Sequence, residues 1–149
     1  MTEEDLAPVF AVLGDSVTTA KVSWGQPNLD TCREWLGRRI ENEAGLGYSF
    51  WGVERLDRIG LVVGLCGYFP HDNELELGYV IRADYWGHGY ATEAARAVLG
   101  ASRLLGQDVY ATIRSTNAAS LGVARKIGLV GHGETTEDER GGLLVFRRP

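Results

Sequence analysis

Apolar residues in the first third of the chain recur every three or four positions, the spacing of one face of an α-helix. The first such segment follows Thr2 and Asp5, which are spaced like a capping box, and stops at Gly14. A second segment, Asp30 to Glu43, has Gly45 beyond its predicted end. The apolar positions are Leu6, Val9, Phe10 and Leu13 in the first segment, and Trp35, Leu36 and Ile40 in the second. The first third is therefore predicted to be helical.

Between residues 48 and 81 the pattern changes to short apolar runs and alternation, which is typical of β-strands. The three runs are Tyr48–Val53, Leu61–Phe69 and Glu74–Ile81, and the charged turn Glu54–Arg58 separates the first two. This order predicts an antiparallel meander of three strands.

Helical and strand-like segments alternate after residue 81. An alanine-rich segment keeps helical spacing from Gly89 to Leu105, and Gly106 is its C-terminal glycine. Asn117 suits the N-cap of a shorter helix. The other predicted elements are a strand Val109–Arg114, the shorter helix through Ile127, strands Leu129–Gly133 and Leu143–Phe146, and an exposed loop Glu134–Gly142.

Composition narrows the class of protein. With 149 residues, 44% hydrophobic and 23% charged, the sequence predicts a single globular domain over residues 1–149. The longest apolar-and-glycine run, Leu61–Phe69, is far shorter than the ~20 residues of a membrane-spanning helix. The acidic start, Met1 to Asp5, differs from a secretory signal, so we expect a cytoplasmic protein without a membrane partner.

Charge and cysteine content exclude further classes. The net charge of -5 provides no basic field for nucleic acid, so none is expected as a partner, and an anionic ligand must be held locally. Cys32 and Cys66 form neither a Cys-x-x-Cys motif nor a metal-ligand spacing. We expect two buried thiols and no metal.

The most informative passage runs from Leu77 to Ala95, where a strand passes through a glycine-containing turn into a helix. Gly87 and Gly89 permit positive φ, and the first N–H groups of a helix have no intrahelical partner. Such a turn suits a bound phosphate and a simple tight connection equally well. The passage lacks the third glycine of a dinucleotide fingerprint and the Gly-Lys-Ser/Thr of a P-loop.

Two motifs in the chain resemble those of a known family. Trp86-Gly-His-Gly-Tyr-Ala91 resembles the Arg/Gln-x-x-Gly-x-Gly/Ala motif of the GNAT superfamily of N-acetyltransferases, in the form used by the branch that acetylates ribosomal-protein N-termini. Asn117-Ala-Ala-Ser120, followed by Ala124-Arg-Lys-Ile-Gly128, resembles that branch's Asn-x-x-Ser…Lys-x-Gly-Phe helix. The resemblance covers nearly the whole chain. It implies an α/β (α+β) fold whose mixed, mostly antiparallel sheet splays after residue 81 and holds the cofactor in the split.

The resemblance also implies acetyl-CoA as co-substrate and a set of residues to bind it. Strand backbone would pair with the pantetheine arm, and amides of the turn and first helical turn would hold the pyrophosphate. Two residues depart from the family pattern, since Trp86 replaces Arg or Gln and Leu129 replaces Phe. The implied contacts are Tyr79, Val80 and Ile81 on the strand, Gly87, His88, Gly89, Tyr90, Ala91 and Thr92 at the turn, and Asn117, Ser120 and Lys126 downstream.

Acetyl transfer to an amine needs a proton acceptor, an oxyanion donor and help for the departing thiolate. Glu76 is the candidate base, directly or through water, although Glu74 shares its strand face and either carboxylate would also suit solvent. A backbone N–H near Val80 or Ile81 would stabilise the oxyanion. Ser120 would hydrogen-bond or protonate the sulfur, and it equally suits a small packing position.

The acceptor is expected to be a peptide or protein N-terminal amine. The alternatives are a small-molecule amine, such as an aminoglycoside or polyamine, and a CoA-binding module without turnover. Trp24, Trp51 and Phe50 suit either an acceptor pocket or the core. Relatives of the branch start with a strand before the first helix, whereas this sequence starts at that helix. We therefore expect either a short start or an exposed sheet edge that a partner, such as a second copy in a homodimer, would cover.

Overall fold

The computed structural model describes residues 1–22, 25–71, 73–138 and 141–149. Within these residues the strands form one sheet in the order β1-β2-β3-β4-β6-β5. The strands are β1 (Phe50–Arg55), β2 (Arg58–His71), β3 (Glu74–Ile81), β4 (Asp108–Ile113), β5 (Val130–Asp138) and β6 (Gly141–Arg147). The helices are α1 (Leu6–Leu13), α2 (Ser16–Thr19), α3 (Leu29–Leu46), α4 (Tyr90–Ala101) and α5 (Ala118–Lys126), with 3-10 turns at Glu3–Asp5, Ala83–Tyr85 and Ser102–Leu104.

Side-chain caps start the first helices close to the predicted residues. Before α1 the Thr2 N–H donates to the Asp5 carboxylate at 2.7 Å, and Asn28 caps α3. α3 extends past its predicted end because Gly45 stays helical and Gly47, with φ of 77°, ends the helix in the left-handed conformation. None of the helices in the described part of the chain is long and apolar enough to cross a membrane.

The sheet is mixed and mostly antiparallel, as expected. β1, β2 and β3 form the predicted meander, with Gly67 opposite both Phe50 and Gly78. β4 lies parallel to β3, because α4 carries the chain back across the sheet between them. All other pairings of the described strands are antiparallel.

The prediction of an exposed loop at Glu134–Gly142 is wrong. The chain continues as β5 to Asp138, and β6 begins at Gly141, so most of this stretch is a hairpin in which Thr135 lies opposite Leu144. β5 is an edge strand, and its residues 135–137 are exposed. Polar residues can occupy such a strand without alternating with apolar ones. The sequence of this segment therefore shows no strand pattern.

Apolar side chains are buried on both faces of the sheet. One cluster packs under α4 and α5 and contains Cys66, and the other packs under α1 and α3 and contains Cys32. This two-sided burial explains why Leu61–Phe69 is a continuous apolar run. Both cysteines are free and buried, as predicted, and burial raises the pKa of Cys66 to about 12.

Candidate active site

The sheet opens between β3 and β4. These strands pair only from Glu74 to Glu76, opposite Asp108 to Tyr110. β3 then continues beside β2 and β4 continues beside β6, which leaves a gap between them. The expected split is therefore present, but it begins after Glu76 and not after Ile81.

Pairing with β2 decides which backbone groups of β3 face this gap. The Arg82 N–H donates to the Val63 carbonyl at 2.8 Å. Hydrogen-bonded pairs alternate along an antiparallel ladder, so Val80, two residues earlier, also bonds to β2. Tyr79 and Ile81 therefore direct their N–H and C=O groups into the gap. The expectation that the Val80 backbone would bind pantetheine or an oxyanion is corrected accordingly.

A groove of about 390 Å³ runs from this gap to the start of α4, and we call it the donor groove. It is lined by β3, by the turn before α4, by α5 and by the segment around α2. It includes all the predicted cofactor contacts except His88, namely Tyr79, Val80, Ile81, Gly87, Gly89, Tyr90, Ala91, Thr92, Asn117, Ser120 and Lys126.

The turn before α4 presents main-chain donors to the donor groove. Gly87 and Gly89 have φ of 81° and 86°, and a Cβ at either position would meet no atom within 4 Å. Gly89 is the N-cap, and no side chain caps α4. The N–H groups of Tyr90, Ala91 and Thr92 consequently have no partner inside the helix. An open cradle of free N–H groups at a helix N-terminus fits a diphosphate.

Trp86 and His88 hold this turn in place. The Trp86 indole Nε1–H donates to the Ile81 carbonyl at 2.6 Å, which ties the turn to β3 and occupies one carbonyl that faces the gap. His88 Nδ1 lies 2.8 Å from the Trp86 carbonyl oxygen, and its ring stacks on Tyr90. The His88 ring is thus engaged with the turn itself, which leaves only its backbone N–H as a contribution to binding.

The first turn of α5 closes the other side of the donor groove. Asn117 Oδ1 accepts the Ser120 N–H at 3.2 Å, which confirms the predicted N-cap. The Tyr79 hydroxyl donates to the Ser120 carbonyl at 3.2 Å and so links β3 to α5. Burial raises the pKa of Tyr79 to about 12, so its phenol stays protonated at neutral pH. Arg96 of α4 donates to the Lys126 carbonyl at 2.9 Å, which fixes the far end of α5.

A second groove, of about 320 Å³, lies around Glu76 between β3 and β4, and we call it the acceptor groove. The Thr112 hydroxyl donates to the Glu76 carboxylate from β4. Glu74, the other candidate base, forms an ion pair with Arg147 and lines neither groove. The Arg147 guanidinium also lies 5.2 Å from the ring centroid of Tyr110. Of these two carboxylates, only Glu76, the candidate base chosen from the sequence, lines a groove.

The two grooves adjoin at a set of shared lining residues, and we call the two grooves together the passage. The shared residues are Lys21, Val22, Tyr79, Asn117 and Ser120. The sequence did not indicate Lys21 or Val22, which follow the four-residue helix α2, a helix too short to show periodicity. Phe69, Thr112 and Arg114 in the acceptor groove were also missed. Only the strand pairing brings them beside Glu76.

The aromatic residues considered for an acceptor pocket do not form one. Phe50 is buried in the core, with its ring centroid 5.5 Å from that of Trp35. The Trp51 Nε1–H donates to Glu43 at 2.9 Å, and neither Phe50 nor Trp51 lines a groove. Trp24 lies outside the described residues. Across the part of the chain that is described, no group of three or more His, Cys, Asp and Glu side chains is placed to hold a metal ion.

The architecture is that of known acetyltransferase structures. The chain matches an acetyltransferase from Agrobacterium tumefaciens str. C58 with a TM-score of 0.83 and 22% identity, covering 100% of this chain and 87% of that one. The ribosomal-protein-alanine N-acetyltransferase from Brucella melitensis matches with a TM-score of 0.79 and 24% identity. The match covers 99% of this chain and 96% of that one. The structure of yncA from Salmonella typhimurium, solved with its cofactor acetyl-CoA, matches with a TM-score of 0.76 and 19% identity. The match covers 98% of this chain and 88% of that one. At these identities the likeness shows the fold.

Sequence comparison establishes the family. Residues 1–130 match the family model described as "Acetyltransferase (GNAT) domain". The chain is also 36% identical over 135 residues to the uncharacterized protein YkkB of Bacillus subtilis (strain 168), covering 87% of this chain and 78% of that protein. The chain belongs to the GNAT family of acetyltransferases, the family that the motifs around Gly87 and Asn117 indicate.

Proposed function

We propose that this protein transfers the acetyl group of acetyl-CoA to a primary amine, and that the amine is a peptide or protein N-terminus. The proposal depends on the passage in which the donor and acceptor grooves meet at Tyr79, Asn117 and Ser120. A donor lying along the first groove would bring its thioester to an amine beside Glu76. Family membership supports acetyl transfer. The Asn117-to-Ser120 motif, which resembles that of N-terminal acetyltransferases, favours an N-terminal amine over an aminoglycoside or polyamine.

Main-chain groups would hold most of the donor. The N–H groups from Gly87 to Thr92 suit the diphosphate, and the backbone of Tyr79 with the N–H of Ile81 suits the pantetheine arm as an added strand. The positive end of α4 contributes about 0.3–2 kcal/mol toward an anion. Lys126, at the edge of the donor groove, adds a cation for a phosphate. These local groups offset the net charge of -5, which repels anions at long range.

The residues of the passage can carry out each chemical step. An ammonium has no lone pair, so Glu76, held by Thr112, would accept its proton before nitrogen bonds to the thioester carbon. The N–H of Tyr79 or Ile81 would stabilise negative charge on the carbonyl oxygen. Ser120 would hydrogen-bond the sulfur as the C–S bond breaks. The nitrogen loses a second proton as the amide forms, and this proton passes to the departing thiolate. The proton first taken by Glu76 is released to solvent, so the step balances.

A matched pair of substitutions tests the role of Glu76. Glu76→Gln is expected to lower kcat for a peptide amine about a hundredfold at neutral pH, measured as release of the CoA thiol. Glu74→Gln makes the same change on the same face of β3, outside both grooves, and is expected to retain the wild-type rate. The difference in kcat between Glu76→Gln and the wild type should become smaller above about pH 8, because most α-amino groups are then already neutral and need no base.

Two results would contradict the proposal in different ways. Wild-type rates in Glu76→Gln would remove this carboxylate from the base role while leaving acetyl transfer intact. Acetyl-CoA binding without thiol release from any amine would favour the CoA-binding module instead.

A further inference from the structure

The charged residues of the acceptor groove are unevenly divided by sign. Among the described residues that line it, Lys21, Glu76 and Arg114 are charged. Glu74, the nearby carboxylate on the same face of β3, is neutralised by its ion pair with Arg147. Within the described part of the chain, the groove therefore offers a ligand the Glu76 carboxylate and, at a separate point, the Lys21 ammonium.

Arg39 adds a further cation behind the wall of the acceptor groove. It is 8% exposed, and its guanidinium lies 5.1 Å from the ring centroid of Phe69, which lines the groove. The opposite contact is the Trp35 ring, 5.3 Å away. The Arg39 Nε and Nη1 atoms have no hydrogen-bond partner, and no carboxylate among the described side chains forms an ion pair with this residue. Its charge is shielded by aromatic faces but not neutralised.

Lys21 is the cation best placed to meet a ligand. Asp15 caps α2 by accepting the Thr18 N–H at 2.8 Å, and the Thr18 hydroxyl oxygen accepts the Ala83 N–H at 2.9 Å. These bonds fix α2 against the end of β3. Lys21 follows α2, is exposed, and lines both grooves where they join. No described carboxylate is paired with it, whereas Arg114 already has an interaction of its own.

We propose that the acceptor carries a carboxylate a few bonds from its reactive amine, with the amine directed to Glu76 and the carboxylate to Lys21. This inference rests on the proposed acetyltransferase function and defines its substrate class. Opposite charges at separate points of one groove complement an acceptor that carries both signs. A polyamine or aminoglycoside brings several cations toward Lys21, which disfavours it by like-charge repulsion. On the proposed peptide acceptor, the carboxylate belongs to an acidic residue near the N-terminus. A free amino acid carries the same two groups and is the alternative source that the test distinguishes.

Pairs of acceptors that differ only in this carboxylate test the inference. The first pair is two amidated peptides that begin with alanine and have glutamate or glutamine next. The second pair is alanine and alaninamide, compared per concentration of neutral amine because the free carboxylate raises the pKa of the amine of alanine. Thiol release from acetyl-CoA gives kcat/KM for each, with a polyamine as a further arm. The carboxylate member of at least one pair is expected to be preferred about tenfold, the effect of one charged hydrogen bond. The pair that shows the preference identifies the source of the carboxylate.

Substitutions then assign the preference to its residue. Lys21→Gln should abolish the ratio within the preferred pair, and Lys21→Arg should restore it. Lys126→Gln alters the other lysine of the donor groove and should keep the ratio even if acetyl-CoA binds less tightly. Equal kcat/KM within both pairs, a preference for the polyamine, or a ratio that survives Lys21→Gln would overturn the inference. Thiol release from none of these amines, with acetyl-CoA still bound, would contradict the acetyltransferase proposal itself.

Discussion

Gly89 and Gly128 form a matched pair that measures what the turn before α4 contributes to acetyl-CoA binding. Both have φ of 86°, and a Cβ added at either would meet no atom within 4 Å. Gly89 lines the donor groove, whereas Gly128 follows α5 outside both grooves. Alanine at either site is expected to lower the free energy of unfolding by about 1–2 kcal/mol, because the left-handed backbone is unfavourable for a residue with a Cβ.

Only Gly89→Ala is expected to weaken acetyl-CoA binding. Its methyl group would occupy open space beside the N–H groups of Tyr90 to Thr92, where the diphosphate is expected. At a ligand concentration of about 100 times the wild-type Kd, binding adds about 2.7 kcal/mol to the stability of the wild-type protein. If the variant binds acetyl-CoA ten times more weakly, the same ligand concentration adds only about 1.4 kcal/mol to its stability. The difference corresponds to a shift in Tm of several degrees for a chain of this size.

Thermal unfolding of the three proteins over a range of acetyl-CoA concentrations separates strain from binding. Without ligand, the two variants should have similar Tm values below that of the wild type. With ligand, Gly128→Ala should show the full wild-type increase in Tm and Gly89→Ala a smaller one. The assignment of the diphosphate to this turn would be refuted if acetyl-CoA raised the Tm of Gly89→Ala as much as that of the wild type. It would also be refuted if the rise in Tm were reduced equally in Gly128→Ala.

Three further predictions concern single contacts. Trp86→Phe removes a hydrogen bond from the turn to β3 and should raise the acetyl-CoA Kd about three- to tenfold in calorimetry, whereas Trp51→Phe removes a hydrogen bond to α3 and should leave it unchanged. Neither cysteine should react with a disulfide reagent before unfolding, because both are buried and burial raises the pKa of Cys66 to about 12; rapid labelling of the native protein would contradict this burial. Arg147→Gln breaks an ion pair whose side chains are 33% and 36% exposed, so urea unfolding should show a loss of at most about 1 kcal/mol, and a larger loss would mean that the pair is coupled to the core.

The donor side of the site could be predicted from sequence because its features are local. Gly87 and Gly89 mark positive φ, Asn117 marks a helix cap, and Ser120 lies one turn further along the same helix. Each depends on neighbours within a few positions, so the chain order alone places them. The strand-turn-helix unit from β3 to α4 was likewise expected from the change of period.

The acceptor side depends on contacts between residues distant in the chain. Thr112 and Phe69 lie beside Glu76 because β4 and β2 flank β3, and no sequence period encodes that pairing. The direction of the Val80 backbone depends on its register with β2. Lys21 reaches the join of the grooves only through the docking of α2 on the end of β3. For the same reason the predicted strand Leu129–Gly133 ends too early, because the polar half of β5 up to Asp138 is specified by pairing with β6.

A crystal structure of the protein with acetyl-CoA would show whether the donor groove holds this co-substrate with its thioester facing Glu76. We expect the diphosphate on the N–H groups from Gly87 to Thr92 and the pantetheine arm along Tyr79 and Ile81. The thioester should lie beside Tyr79 and Ser120, open toward Glu76. Acetyl-CoA bound away from the gap between β3 and β4, or a thioester separated from Glu76 by protein side chains, would contradict this arrangement.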